Sequence, residues 1–445
     1  MIIIDISSTF FCNLFRTSRQ IKIAAWFFII MQLVGVYPRA LITNSGLDSY
    51  IGPHSNEWIE KTYVVLILYN LFFLVGIFLS QLILNRKTIK NNQTSVESSL
   101  YSDLKKYVGP NGMLLSLIIC SLPGVILLLT NHSTLINDSD IANTRAQTQG
   151  AGPKIILTEV PFMAVAIWYS FKKGIVKWKW WICTLFLLIL SLLSGSRSQT
   201  LDFILVLVAL RFIQTDLKLK IRTILSLSIL GFILVYVGWI IVYARGMMRD
   251  FGGSFFMWAS SAIKDNPINV FNLLTRKSLN GYDGLVSVVG TVPSYFNFHP
   301  GQLWFEMLTI LVPRSLWPGK WDVDLVSNFT QIVWGWGAGG NFVTGAGALF
   351  IDSGMLGVAL GSLLIGILTS FICRARVAEN TNHWFAKVAV AVWCFFLARF
   401  TFAGGAMDAN VAGRMLIEAI FIFIVVKFVT SYIIVVKPQY KIEKH

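Results

Sequence analysis

The chain has 445 residues, of which 55% are hydrophobic and only 13% are charged. Soluble domains carry about 25% charged residues, so this composition excludes an ordinary soluble domain and predicts one integral membrane domain over residues 1–445. The net charge of +15 does not indicate a nucleic-acid partner, because Lys and Arg in cytoplasmic loops orient membrane proteins. The five cysteines are widely spaced and predict packing thiols rather than disulfides or metal ligands.

Apolar runs long enough to cross a bilayer recur along the chain. About ten qualify, near residues 23–42, 62–84, 111–130, 155–172, 180–196, 200–215, 223–244, 342–372, 384–403 and 415–436. They predict an all-α polytopic fold of about ten transmembrane helices. Basic clusters follow alternate turns, including the loop 85–110, and the last one ends the chain. Basic loops stay in the cytoplasm, so both termini and the loop 85–110 are expected there.

Cations expected on the opposite, outer side are mostly arginine rather than lysine. The arginines are Arg39, Arg145, Arg197, Arg245, Arg249, Arg276, Arg314, Arg399 and Arg414, and the lysines are Lys61, Lys154, Lys264, Lys277 and Lys320. Orientation alone would be served by lysine, whereas the guanidinium fork binds phosphate or carboxylate with two nitrogens. Any one arginine is as well explained by an ion pair with Asp or Glu. The set as a whole predicts an anionic ligand at the outer face.

The longest outer loop covers residues 245–341, between the seventh and eighth predicted spans. Loops of this length are uncommon without structure and are often functional. Two apolar pieces, GLVSVVGTV (284–292) and QLWFEMLTILV (302–312), are too short to span. They predict short helices that lie in the membrane interface or re-enter the outer leaflet, and the tryptophans around them are typical of an interfacial belt.

Four short motifs carry the candidate site in and near this loop. YARGMMRD (243–250) places Arg245 and Arg249 one helical turn apart. TRKSLNGYDG (275–284) has Arg276 and Asp283 around a turn-forming Asn-Gly pair. VPRSLWPGK (312–320) holds Arg314 between prolines, where a regular helix cannot continue. LFIDSG (349–354) places an acidic residue, Asp352, inside an apolar segment, where ionisable groups are costly and usually functional.

A fifth motif, SGSRSQT (194–200), forms a very short outer turn with Arg197 at its apex. Snorkelling to lipid phosphate explains this arginine as well as a site role does. Further along, Arg399 and Arg414 flank the turn AGGAMDAN (403–410), and both are expected to pair with Asp408 or to line the same cavity. The structural pairing is favoured.

In these motifs the chain resembles the oligosaccharide repeat-unit polymerases of the Wzy type. The resemblance rests on SGSRS, RKSLNGYDGL, VPRSLWPGK and GAGALFIDSGMLGVALG, about a tenth of the chain, and VPRSLWPGK is its strongest element. It implies a GT-C-like glycosyltransferase of the bacterial inner membrane, with its active site in the periplasm and no nucleotide sugar, metal or other cofactor. The implied substrate is an oligosaccharide on undecaprenyl diphosphate, and the implied partners are a chain-length regulator and a flippase.

The chemistry can also be argued from the residue types. A lipid diphosphate gains negative charge as it leaves, and arginines placed beforehand would stabilise that charge. Arg314, Arg276, Arg245 and Arg249 are the first candidates; Arg197 and Arg145 are second-rank, and Lys320 binds phosphate or is an exposed loop cation.

The acceptor hydroxyl needs a carboxylate, for which Asp283 is the first candidate. An ion pair between Asp283 and Arg276 is an equally good explanation, and Asp322, Asp324 and Glu306 compete for the role. No His/Cys/Asp cluster in the sequence supports a metal.

Two other functions are compatible with the sequence. A flippase or other transporter would also have many spans, but many transporters show internal repeats, and none is visible. An O-antigen ligase is the second alternative. Ligases carry a histidine in the outer loop shortly before a segment like 349–357, and here no histidine lies between His299 and His383. The polymerase is therefore preferred.

Overall fold

The computed structural model describes most of the predicted spans and most of the long loop. The described residues are 18–45, 54–88, 116–127, 129, 152–171, 178–193, 197–214, 236, 240, 243–244, 247–248, 251–264, 281–309, 311–312, 316–317, 320, 324–335, 343–374 and 384–436. Every regular element among them is helical. The all-α prediction is confirmed for this part of the chain.

Fourteen helices are numbered here in chain order. They are α1 (Arg19–Gly35), α2 (Tyr37–Asn44), α3 (Asn56–Thr88), α4 (Ser116–Leu127), α5 (Gly152–Phe171), α6 (Trp178–Leu193), α7 (Arg197–Gln214), α8 (Phe255–Lys264), α9 (Gly281–Thr291), α10 (Gln302–Thr309), α11 (Leu325–Trp334), α12 (Thr344–Arg374), α13 (Trp384–Ala403) and α14 (Ala406–Val436).

Five candidate membrane spans occur within the described residues. They are Arg19–Asn44, Asn56–Ile83, Thr344–Cys373, Phe385–Ala403 and Asp408–Val426, and three shorter apolar helices are Ser116–Leu127, Ile156–Ser170 and Trp180–Leu190. All eight coincide with predicted apolar runs. The run 200–215 falls in α7, and the run 223–244 lies almost wholly outside the described residues. The total of about ten spans stays a prediction.

The chain folds into two compact units. The first comprises residues 1–88, 211–377 and 389–413, and the second comprises residues 89–210, 378–388 and 414–445. In the second unit α5 packs on α6, where the Trp180 indole donates to the Val165 carbonyl at 3.2 Å. Phe162 of α5 meets Phe203 of α7 edge to face. Gly124 of α4 lies against the α5 backbone at Leu157.

The first unit is centred on the contact between α3 and α12. Two glycines allow the helix backbones to approach each other closely. A Cβ on Gly76 would collide with the Leu363 carbonyl, and a Cβ on Gly366 would collide with the Phe73 carbonyl. Because a larger residue at either position would push the helices apart, these two glycines determine the spacing of the pair.

Helix α12 reverses direction instead of running straight. Ser353 and Gly354 have non-helical dihedral angles, with φ +62° at Gly354. A Cβ on Gly357 would collide with the Leu349 carbonyl, although residues eight apart in a continuous helix are about 12 Å apart. The segment therefore forms a hairpin: Thr344 to Asp352 folds back along Met355 to Arg374. The predicted run 342–372 does not contain one straight span.

The two short helices predicted in the loop are confirmed as α9 and α10. Helix α9 packs against α2, α3 and α12, and all but one of its residues are buried. It therefore does not lie on the surface of the protein. Helix α10 ends at Thr309, ahead of the predicted break at Pro313. Helix α11 begins after Asp324 and ends at Trp334, and it is followed by Gly335, whose φ of +64° suits glycine.

Candidate active site

A fully buried ion pair connects α2 to α9. Arg39 donates from Nε and from Nη2 to the same Asp283 oxygen, Oδ2, at 3.0 and 2.7 Å. Both side chains are 0% exposed. Asp283 lies in the first turn of α9, where a carboxylate also interacts favourably with the helix dipole. The ion-pair explanation of Asp283 is thus the one that the structure describes, with Arg39 as its partner.

The apex of the α12 hairpin holds the start of α10. Asp352 accepts hydrogen bonds from the backbone N–H of Gly301 and of Leu303, at 3.1 and 3.0 Å, and from the Ser353 hydroxyl at 2.8 Å. The first N–H groups of a helix have no acceptor within that helix. At the start of α10 the Asp352 carboxylate, which belongs to α12, is the acceptor. Asp352 therefore caps α10, and its predicted functional role stays a prediction.

Two further carboxylates hold the start of α11. Glu306 accepts from the Leu325 N–H with both oxygens, at 3.1 and 3.0 Å, and from the Gln302 amide at 2.8 Å. Asp324 caps the same helix by accepting from the Ser327 N–H at 2.8 Å. Two of the three competitors of Asp283 therefore have structural partners, and the third, Asp322, lies outside the described residues.

Burial raises the pKa of Glu306 above its ordinary value. The hydrogen bonds from Leu325 and Gln302 lower the pKa, and the nearby charges of Asp324 and Asp352 raise it further. Glu306 thus lies within electrostatic range of two other carboxylates, and its ionised form is disfavoured by burial first and by their charge second.

Lys320 is only 9% exposed. Its Nζ donates to the carbonyls of Thr309 and Val312, at 2.8 and 3.0 Å, beyond the last turn of α10. The description of Lys320 as an exposed loop cation is wrong, because the side chain turns inward to cap these carbonyls. Its binding of phosphate stays a prediction.

The two arginines around the turn 403–410 have different partners. Arg399 donates from Nε to Asp408 at 2.7 Å, as predicted. Arg414 forms its ion pair with Glu159 of α5, at 3.2 Å, so the expectation of an Asp408 pair is wrong for Arg414. The sequence gives no signal for this partner, because Glu159 and Arg414 are far apart in the chain.

Most of the arginines predicted to bind diphosphate lie in segments outside the described residues. Arg145, Arg245, Arg249, Arg276 and Arg314 lie outside the described residues, as does Asp322, and Arg197 begins α7 with its side chain outside them. Within the described part of the chain, no group of three or more His, Cys, Asp or Glu side chains could hold a metal ion. The described part of the candidate site is its scaffold. Asp352 joins the α12 hairpin to α10, Glu306 joins α10 to α11, and Asp283 joins α9 to α2.

Sequence reasoning missed Arg39 as a member of this scaffold. Arg39 belongs to the set of cations expected on the outer side. The preference for arginine over lysine in that set was the only sequence feature that pointed to it. Its partner could not be found from the sequence, since 244 residues separate it from Asp283.

Five of the described helices are long and apolar enough to cross a membrane, as in an integral membrane protein. The family model described as O-antigen polysaccharide polymerase Wzy matches residues 1–433, and the chain belongs to this family. No curated protein and no solved structure was found to match the chain. Membership supports a role as a glycosyltransferase-type polymerase of polysaccharide repeats, in a family that works on lipid-linked oligosaccharides.

Proposed function

We propose that the protein polymerises O-antigen or related surface-glycan repeats carried on undecaprenyl diphosphate, at the periplasmic face of the bacterial inner membrane. The observation that carries this proposal is the family match over residues 1–433. In this scheme the chain has both termini in the cytoplasm, about ten spans and a GT-C-like fold. A flippase supplies its substrate, and a chain-length regulator limits its product.

The reaction moves the growing glycan from its lipid diphosphate to the non-reducing end of a new lipid-linked repeat. The bond between the anomeric carbon and the diphosphate oxygen breaks, and a bond from that carbon to the acceptor hydroxyl oxygen forms. The hydroxyl proton passes to a base, and the released lipid diphosphate carries the negative charge. Guanidinium groups positioned before the reaction stabilise that charge in a site with little water.

The proposed diphosphate-binding groups are Arg276 and Arg314 first, then Arg245 and Arg249. Arg197, Arg145 and Lys320 form a second rank. Two buried cation contacts beside the loop support the idea that its outer cations have specific partners: Arg39 with Asp283, and Lys320 with the end of α10.

Asp283 is the carboxylate proposed to face the acceptor hydroxyl. It is 1% exposed and is held by Arg39 in the described conformation. Contact with the hydroxyl therefore requires the packing around the start of α9 to open when substrate binds. Without that separation Asp283 acts only by holding α9 in place.

A reconstituted assay with a purified lipid-linked repeat tests the site. Arg314→Ala and Arg276→Ala should abolish polymerisation at normal expression, and Arg314→Lys should also fail if two nitrogens must grip the phosphate. Lys61→Ala is the matched control, because Lys61 is an exposed cation paired with Glu57 on α3. Full activity of both arginine-to-alanine variants would refute the proposed site.

A deletion strain tests the function itself. A polymerase mutant keeps core capped with one repeat and loses only long chains. A ligase or flippase mutant loses all capped core, and that phenotype would overturn the proposal.

A further inference from the structure

Helix α10 and the turn after it expose large apolar side chains and bury an ionisable one, which is the opposite of the usual arrangement in water. Phe305 is 49% exposed, Leu308 80%, Leu311 39% and Leu316 78%, and we call these four residues the α10 apolar face. The carboxylate of Glu306, next to Phe305 in the chain, is 0% exposed. In water the charged group would face out and the large apolar side chains would face in. In hydrocarbon the ionisable group faces the protein instead.

The end of α10 points to the same surroundings. The last carbonyls of a helix have no partner within it, and in water the solvent satisfies them. Hydrocarbon cannot do so, and the protein must provide the donor. Here the buried ammonium of Lys320 donates to Thr309 and Val312, although a lysine beside water would extend its charge into it. An internal cap on a short loop helix is explained if water is scarce at that point.

The contact between the α10 apolar face and α14 indicates how deep this face lies in the membrane. A Cβ on Gly413 of α14 would lie 2.6 Å from Leu311 Cδ1, so Leu311 packs directly against that helix. Gly413 lies five residues inside the candidate span Asp408–Val426, about 7.5 Å along its axis. The α10 apolar face is therefore in contact with the first turns of a helix that is long and apolar enough to cross the membrane. Trp317 packs edge to face on Phe305, with ring centroids 5.7 Å apart, and covers one side of the face.

We propose that the α10 apolar face is embedded in one leaflet of the bilayer, where acyl chains of bulk lipid cover it. In the loop between the predicted seventh and eighth spans, α10 and the turn after it thus contact lipid, so the loop is not entirely surrounded by water. This inference does not depend on the proposed polymerase activity, since it rests on polarity, capping and contact with α14.

Spin labelling in proteoliposomes tests the inference. Leu308→Cys is made in a background with Cys183→Ser and Cys12→Ser, because Cys183 is exposed and Cys12 lies outside the described residues. The remaining cysteines, Cys120, Cys373 and Cys394, are buried, and the parent without Leu308→Cys measures any labelling of them. The label's collisions are recorded with oxygen, which concentrates in hydrocarbon, and with a water-soluble nickel chelate.

Two matched positions calibrate the measurement. Leu360→Cys places a label on the exposed side of the candidate span Thr344–Cys373, and Ser294→Cys places one on the exposed turn after α9. The label at 308 should match the label at 360, with strong oxygen collisions and loss of nickel collisions. Leu316→Cys should behave in the same way, and it serves as the second variant if Leu308→Cys does not fold.

Two results would overturn the inference. Nickel collisions at 308 and 316 equal to those at 294 would show that water covers the face. Loss of collisions with both reagents would show that a second copy of the chain or another part of this protein covers it.

Discussion

Replacing Arg39 by methionine should strongly destabilise the first unit. The change removes the cation from an ion pair whose side chains are both 0% exposed and leaves the Asp283 charge buried. Breaking such a pair from one side costs about 3–5 kcal/mol. Since each 1.4 kcal/mol is a tenfold change, the ratio of folded to unfolded protein should fall roughly a hundredfold to a few thousandfold.

Two companion variants separate the causes of that loss. Arg39→Lys keeps the charge but cannot place two nitrogens on one oxygen, so it should recover only part of the stability. The double variant Arg39→Met with Asp283→Leu removes both charges. Replacing a buried pair by apolar side chains is often neutral or stabilising, so the double variant should be more stable than Arg39→Met alone.

The assay is reversible unfolding in mixed detergent micelles, followed by tryptophan fluorescence. Lys61→Met is the control, because the Lys61–Glu57 pair on α3 is exposed and should contribute little. A cost for Arg39→Met below about 1 kcal/mol, similar to that of an exposed pair, would refute the reasoning. A double variant no more stable than the single one would refute it as well.

Three further predictions concern the scaffold. Gly366→Ala places a Cβ against the Phe73 carbonyl and should cost about 1–3 kcal/mol in the same unfolding assay, whereas Ala at the exposed Leu364 should be tolerated better. Lys320→Met removes the donor to Thr309 and Val312 and should cost about 1–3 kcal/mol, with Lys320→Arg milder. Because burial raises the pKa of Glu306, the folded state holds its proton more tightly than the unfolded state, so stability should fall as the pH rises from 4.5 through the raised pKa. Glu306→Gln should reduce the pH dependence of the free energy of unfolding in that range. An unchanged pH dependence would contradict its assignment to Glu306.

Local patterns in the sequence were enough to place the helices. Apolar runs of sufficient length predicted all five candidate spans in the described residues and the three shorter apolar helices. The short apolar pieces 284–292 and 302–312 predicted α9 and α10. These predictions succeed because helix formation depends on neighbouring residues and on proline, both of which can be read along the chain.

The α12 hairpin could not be predicted from hydropathy. Both arms of the hairpin are apolar, so the run 342–372 has the composition of one span. The sequence singled out Asp352 only as an acidic residue in an apolar segment, and the contact between Gly357 and Leu349 is what shows that the chain turns back. A reversal depends on packing between the two arms, and hydropathy does not record packing.

The sequence by itself determined that this is a helical membrane protein, where its helices lie and which family it resembles, because these follow from composition, run length and local motifs. Only the tertiary structure decided which charges meet. In the structure Arg39 pairs with Asp283 and Arg414 pairs with Glu159. The Lys320 side chain is directed inward, and α9 is buried. These contacts join residues far apart in the chain, and their energies depend on burial, which no local pattern specifies.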